Sequence, residues 1–331
     1  MPPSFSRTLR EGGDFELELE LELELDLELD LGFGVAALQV YCFWHMPGYN
    51  PTRRNRNIGT AKSGHAQNNR LNIPAVAHGK HLFWERIEGA QEVCRAISNR
   101  PLKFFVQPTR SDSVYACTVD DVARLMLHVP VVDWEGLDAI VFRQPRRKEQ
   151  TLEPVWGRLA YAADLVNQRG HVLHSGPAII LEAVNPTALV KFGKTLSAEG
   201  MAELERLKSD GHRIRPGDRR HIIEPTLQSC RATQLYRTLL HELGHWVDFL
   251  QKVERPAAAL PNPDVYEELL ERFHSRPYRE KEQFAHSYAE SLSKRLRAID
   301  AVPFDRQLDP EMLLNDHLRL SDFDPARKLL E

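Results

Sequence analysis

The stretch YRTLLHELGHWVDFLQ (residues 236–251) contains two histidines four residues apart, His241 and His245, with Glu242 directly after the first. On a helix with about 100° per residue, both histidines fall within an arc of about 60°, and leucines cluster on the opposite side. Imidazoles one turn apart can both direct a ring nitrogen to one ion at the roughly 2.0–2.1 Å that zinc prefers. The stretch therefore predicts an amphipathic helix with two zinc ligands.

Two further residues of this helix favour a catalytic site over solvent-facing histidines. Glu242 lies about 100° around the helix from His241, beside the open position of the metal rather than among its ligands. That is where a general base for a zinc-bound water belongs. Gly244 is interior to the helix, where it costs about 1 kcal/mol relative to alanine unless a neighbouring element needs the space.

A catalytic zinc needs a third protein ligand and an open position for water. The metzincin extension is absent, because Asp248 and Gln251 stand where that pattern has glycine and histidine. Asp248 is expected to accept a hydrogen bond from a ligand imidazole or to tie the helix to the other lobe. His274, in RFHSRPY, and Asp248 itself are alternative third ligands.

The favoured third ligand lies downstream, in YREKEQFAHSYAESL (278–292). Here Glu282 and His286 share one face of a predicted helix, and the small Ala285 beside them lets a carboxylate approach the metal without crowding. His286 is expected either to support Glu282 in the site or to be satisfied by a neighbouring carbonyl. Glu282 is thus predicted to complete the zinc site.

The combination of HELGHWVD with EQFAHSYAE resembles the gluzincin metallopeptidases, in particular the catalytic domain of the anthrax lethal factor type. The resemblance covers residues 236–290. It implies that Glu282 binds zinc and that a tyrosine shortly before it, Tyr278, assists catalysis. The segment departs from the family pattern at His286, where the family has glutamate, and in the shorter spacing between Tyr278 and Glu282.

The chemistry expected of this site is zinc-dependent hydrolysis of a protein or peptide substrate. Glu242 would take a proton from water and pass it to the leaving amine, while Tyr278 or His286 would hydrogen-bond the oxyanion. The peptide would pair with an edge strand, for which GPAIILEAV (176–184) is the first candidate and RRHIIEP (219–225) the second. The alternative function is a zinc-containing interaction or regulatory protein without peptidase activity.

The chain of 331 residues is long enough for one large domain or two lobes. Residues 81–331 are predicted to form an α+β, zincin-like domain: a mixed α/β lobe (81–227), then a helical lobe (228–331), with the active-site helix between them. Residues 1–45 are expected to be a disordered acidic tail, because FELELELELELDLELDL alternates leucine with like charges. Residues 46–80 are predicted to be a linker.

Charge and composition argue against several classes of partner. Residues 1–45 carry two basic and ten acidic residues, so a net charge of −4 leaves +4 for the rest of the chain. The basic residues of the rest of the chain are spread out, and the short runs PTRRNRN and QPRRKEQ lack interleaved aromatics, so no nucleic-acid partner is expected.

The apolar run 32–46 is too short for a membrane span and lacks the basic flank of a signal peptide. The four cysteines are not spaced as a disulfide framework. A cytoplasmic protein is expected.

Apolar periodicity predicts the regular elements. Helices are expected at 84–98, 119–129 and 197–210, the last with Ser197 as its N-cap. Strands are expected at 102–107, 137–144, 158–166 and 176–184. Beyond Gln228 the pattern is almost wholly helical, interrupted by a loop over residues 255–264.

Overall fold

The structure, a computed structural model, describes residues 76–77, 81–82, 84–152, 155–217, 220–260 and 263–328. The prediction of a disordered acidic tail lies outside these residues, as does most of the predicted linker. Two residues of the predicted linker are described, and they form strand β1 (Val76–Ala77), which pairs antiparallel with β2 (His81–Leu82).

A five-stranded sheet forms the centre of the N-terminal part. Its strands are β3 (Gln91–Ile97), β4 (Arg100–Val106), β5 (Ala139–Arg143), β6 (Gly157–Val166) and β7 (Val172–Glu182), in the order β3-β4-β5-β7-β6. The three central strands β4, β5 and β7 are parallel, and β3 and β6 are antiparallel edge strands. All four predicted strands are confirmed, since their apolar runs are buried between helices and turns on the two faces of the sheet.

The order of the strands corrects both candidates for the edge strand that would bind a peptide. GPAIILEAV lies in β7, which is flanked by β5 and β6. RRHIIEP contains β10 (Arg220–Glu224), the middle strand of a second sheet between β8 (Val190–Gly193) and β9 (Arg213–Pro216). Apolar content marks a strand as buried, but its neighbours come from distant parts of the chain. The edge strand beside the C-terminal helices is β6.

The helix predicted over residues 84–98 is wrong, because Gln91–Ile97 forms strand β3. Val93 and Ile97 are both buried, and their spacing of four satisfies a helical and a strand pattern equally. Ser98 and Asn99 have φ values of 50° and 63°, which make the tight two-residue turn of a hairpin. Every residue of β3 pairs with β4 across this turn, and this pairing selects the strand.

The helices of the N-terminal part begin at side-chain caps. Helix α1 (Val119–Met126) follows Thr118, whose hydroxyl accepts a hydrogen bond from the Asp121 N–H in a capping box. A short helix α2 spans Arg147–Leu152. Helix α3 (Ala198–Ser209) follows Ser197, which caps the Gly200 N–H. The predictions of helices at 119–129 and 197–210, with Ser197 as cap, are confirmed.

The C-terminal part is helical, as predicted. Its helices are α4 (Leu227–Thr233), α5 (Leu239–Phe249), α6 (Arg255–Ala259), α7 (Pro263–His274), α8 (Tyr278–Ala298), α9 (Pro310–Asn315) and α10 (Pro325–Lys328). Two π-helical turns, Gln234–Thr238 and Leu250–Glu254, join α4, α5 and α6 without a break. The loop is therefore shorter than the predicted 255–264, because Arg255–Ala259 forms α6. Pro256 fits into this helix because it lies in the first turn.

Helix α5 packs on the sheet face that carries Leu159 and Ile179. These residues share one hydrophobic core with Leu239 and Leu243 of the helix, so both parts of the chain are built on a common interior. The fold is α+β, as predicted.

Two further features concern the helices and the cysteines of the described residues. No helix among them combines the length and the apolar character that crossing a membrane requires. Cys94, Cys117 and Cys230 are free thiols, which agrees with the absence of a disulfide framework.

Candidate metal centre

Helix α5 is buried along its whole length, from Leu239 to Phe249. Its apolar side faces the sheet, and its histidine side is covered by α8. Gly244 makes this close packing of two helices possible. A Cβ at this position would lie 2.8 Å from both the Cα and the carbonyl oxygen of Ala285. The glycine and the small alanine singled out in the sequence therefore face each other across one helix contact.

We expect Gly244→Ala to weaken the fold although alanine is the better helix former. The added methyl meets main-chain atoms that cannot rotate away, so the two helices must separate, at a cost of about 1–3 kcal/mol in the free energy of unfolding. Zinc affinity should fall with it. Thermal unfolding and zinc titration measure both effects. A second substitution, Ala285→Gly, should not rescue the variant, because the close atoms belong to the backbone. Unchanged zinc affinity in Gly244→Ala would contradict this account.

The close packing brings three predicted metal ligands together. The Glu282 Oε2 atom lies 3.3 Å from His241 Nε2, and its Oε1 atom lies 3.2 Å from His245 Nε2. One ligand atom from each of the three residues falls within 4.8 Å of the others. Two ligands of a tetrahedral zinc, each at about 2.0–2.1 Å from the metal, are separated by about 3.3 Å. Each imidazole nitrogen therefore lies at this spacing from one of the two carboxylate oxygens, and two nitrogens with one carboxylate are a donor set that zinc uses.

The charges of this group are coupled. Burial lowers the pKa of His241 to about 4. Burial also opposes the protonation of His245, but the hydrogen bond to Glu282 and the surrounding carboxylates raise its pKa overall. Burial opposes ionisation of Glu282, yet the hydrogen bonds to both imidazoles hold the pKa of this carboxyl well below its usual range. Glu282 is therefore an anion and His241 is neutral at pH 7, which are the states that bind a metal, whereas His245 holds its proton more firmly and would have to release it.

Glu242 lies outside this triad, as the sequence predicts. Its side chain is buried, and its Oε2 atom accepts a hydrogen bond of 2.8 Å from the Leu159 N–H. Leu159 belongs to the edge strand β6, so the carboxylate of Glu242 connects the metal helix to the border of the sheet. A carboxylate in this position follows a predicted metal ligand in the chain and bonds to the edge strand of the sheet.

The alternative third ligands are placed elsewhere. Asp248 is fully buried and accepts a hydrogen bond of 2.6 Å from Arg276 Nη1, in the connection between α7 and α8. It therefore ties α5 to the chain that leads into the Glu282 helix, and not to the sheet. His274 packs its ring edge-on against Tyr161 and Phe273. Among the described residues, neither Asp248 nor His274 belongs to the metal-ligand group.

His286 and Tyr278 flank Glu282 on helix α8. The His286 Nε2 atom is 3.9 Å from Glu282 Oε2, and its ring centroid is 4.4 Å from that of His241. Its side chain is 44% exposed, so it lies at the mouth of the metal group. Tyr278 is the first residue of α8, one turn before Glu282 and thus on the same side of the helix. Its catalytic role stays a prediction.

Two residues around the site were not found from the sequence. The main-chain N–H of Leu159 leaves no trace in side-chain patterns, because any residue offers the same donor. Arg276 is separated from Asp248 by 28 residues and follows no motif spacing. The one available signal for Arg276 was Asp248 on the histidine helix, because a buried carboxylate needs a partner.

Comparisons of the chain with protein-family models, with curated proteins and with solved structures find no match. The chemistry of the site is therefore inferred from its own side chains. Those side chains offer two imidazoles, one ionised carboxylate and a separate buried glutamate in one small volume.

Proposed function

We propose that this protein is a zinc-dependent metallopeptidase with a zincin-like fold, resembling the gluzincins, that hydrolyses peptide bonds. The observation that carries the proposal is the convergence of His241, His245 and Glu282, which offer donor atoms within 4.8 Å of one another. Glu242 supports it, because a purely structural site needs no additional carboxylate beside the ligands.

His241, His245 and Glu282 would hold the ion, and zinc when bound supplies Lewis acidity towards water and a peptide carbonyl. Glu242 accepts a proton from the attacking water, whose oxygen forms the new bond to the carbonyl carbon. The same carboxyl then donates that proton to the amine as the C–N bond breaks. The buried position of Glu242 keeps bulk water away from this transfer.

His286 is the better placed of the two groups proposed to hydrogen-bond the oxyanion. It stands at the exposed mouth of the metal group, where a substrate carbonyl would enter. Tyr278 would act from one turn further along the same face of α8. Both roles depend on donation of a hydrogen bond, so His286→Ala and Tyr278→Phe would lower the rate of turnover rather than zinc content.

The substrate would pair with the open part of β6. At its C-terminal end this strand is covered, since the Val166 N–H donates to Glu85 O and the Val166 carbonyl accepts from the Ile87 N–H. Residues 157–163 have no strand partner on their outer side in the described part of the chain. An extended peptide would add itself there through main-chain groups other than the Leu159 N–H, which donates to Glu242. The scissile bond of the peptide would then lie near Leu159, whose N–H donates to Glu242.

We expect the purified protein to contain about one zinc per chain and to cleave unstructured peptides. Chelation should remove both the metal and the activity, and stoichiometric zinc should restore both. Elemental analysis and mass spectrometry of a peptide library measure the two quantities on the same sample. Zinc without any cleavage would favour the alternative, a zinc-containing interaction or regulatory protein. Cleavage that persists in metal-free protein would reject the proposal.

A further inference from the structure

A cavity of about 250 Å³ lies between the N-terminal end of β6, the second sheet and helix α3, and it opens to the surface. Its wall includes Trp156 at the approach to β6, Phe192 of β8, Leu207 of α3 and Ile223 of β10. Ala188 lies at its exposed rim. In another protein a dry cavity of roughly 150 Å³ binds benzene, so this cavity has room for one bulky side chain. It is smaller than most sites for whole cofactors or drug-sized ligands.

The charged side chains Glu182 and Arg158 and the imidazole of His212 in the wall have protein partners. Glu182 lies 3.3 Å from Arg158 and 2.8 Å from Arg143. His212 is within hydrogen-bond distance of Thr233 through Nε2, at 2.9 Å, and of Ser229 through Nδ1. Burial lowers the pKa of His212 to about 4, so its ring is neutral at pH 7. An ionic guest would find no uncompensated charge here, and an apolar group would suit the wall.

The cavity is a close neighbour of the metal group. Glu203 lines the cavity and pairs at 3.1 Å with Arg237, which lies one helical turn before His241. One ion pair therefore connects the wall of the cavity to the helical turn that precedes His241.

The cavity also lies along the proposed path of the substrate. Trp156 and Arg158 both line it, and Leu159 donates to Glu242. At about 3.3 Å per residue, Trp156 is roughly 10 Å along the strand from Leu159. Side chains of an extended peptide alternate between two sides, so only one of the two residues that lie two and three positions from the bond at Leu159 would face the cavity.

We propose that this cavity binds a bulky apolar side chain, aromatic or long aliphatic, of a peptide substrate, two or three residues from the scissile bond. The proposal rests on the function proposed above and names the substrate class. Selectivity arises because burying a large apolar side chain removes it from water, while alanine leaves the cavity partly filled. The zinc ligands and Glu242 take no part in this discrimination.

The test compares Ala188→Trp with Leu189→Trp. Ala188 lines the rim of the cavity, whereas the adjacent Leu189 is exposed and does not line it, so the pair controls for the added indole. Peptide libraries with phenylalanine or alanine fixed at each position are cleaved by each zinc-loaded protein. We expect the wild type and Leu189→Trp to prefer phenylalanine at one such position by about 10- to 100-fold in kcat/KM. Ala188→Trp should lose most of this preference yet keep its zinc.

The other outcomes of this experiment separate the cavity proposal from the hydrolase proposal. Cleavage without the preference, or a preference that Ala188→Trp retains, overturns the inference and leaves the proposed hydrolysis intact. If no peptide is cleaved, binding of capped peptides to the zinc-loaded protein is measured by calorimetry. Tighter binding of the phenylalanine peptide that only Ala188→Trp abolishes supports the cavity while the hydrolase proposal fails. Equal binding of both peptides overturns the inference as well.

Discussion

Glu242→Gln is expected to lower kcat for peptide hydrolysis by about 10²–10⁴-fold while zinc content stays at the wild-type value. Glutamine has the shape of glutamate, and its side-chain carbonyl can still accept the hydrogen bond from the Leu159 N–H. What it cannot do is take a proton from water at neutral pH. The three proposed ligands are untouched, so the loss should fall on turnover alone.

Steady-state kinetics, elemental analysis and thermal unfolding together test this expectation. Glu205→Gln is the matched control, because Glu205 is an exposed glutamate of α3 away from the metal group. It should keep full activity. Wild-type turnover in Glu242→Gln would remove Glu242 as the general base. Loss of zinc or of folding in the variant would show that this carboxylate serves the structure instead.

Glu282→Ala should abolish stable zinc binding. Removal of an outer partner of a metal ligand already weakens affinity by about 10- to 100-fold, and loss of one of three protein ligands should exceed that range. Two imidazoles on one helix would remain, with no carboxylate among the ligands to balance the charge of the ion. The activity should disappear with the metal, and zinc should no longer raise the melting temperature of the protein.

Zinc titration and X-ray absorption at the zinc edge measure the affinity and the donor set. Glu290→Ala is the matched control, because Glu290 is an exposed residue of the same helix that pairs only with Lys294 among the ion pairs described. His274→Ala tests the alternative third ligand, and we expect it to bind zinc normally. Full zinc binding by Glu282→Ala, or its loss in His274→Ala, would transfer the third ligand position to another residue.

Much of the arrangement of the candidate site could be predicted because helical spacing is a local property. His241 and His245 share a side of α5 at any location in the fold, and Glu242 is always turned away from that side. The cost of Gly244 indicated a close neighbour, and the structure supplies the backbone of Ala285. Glu282 was favoured because the residue beside it is small.

The errors arose where two structures satisfy one local pattern. Val93 and Ile97 fit a helix or a strand, and only the pairing of Gln91–Ile97 with β4 distinguishes them. The apolar run in β7 is typical of any buried strand, so it could not show that the strand lies between β5 and β6. Both decisions depend on partners that are remote in the chain.

By itself the sequence determined the faces of the metal helix, the residue types offered to an ion and the α+β succession of elements, because these follow from the geometry of a few neighbouring residues. The tertiary structure decided that β6 is the edge beside Glu242, that Arg276 holds Asp248 and that a cavity adjoins the site. These features require segments far apart in the chain to pack together. The free energy of that packing depends on all of the segments, so it cannot be predicted from any one of them.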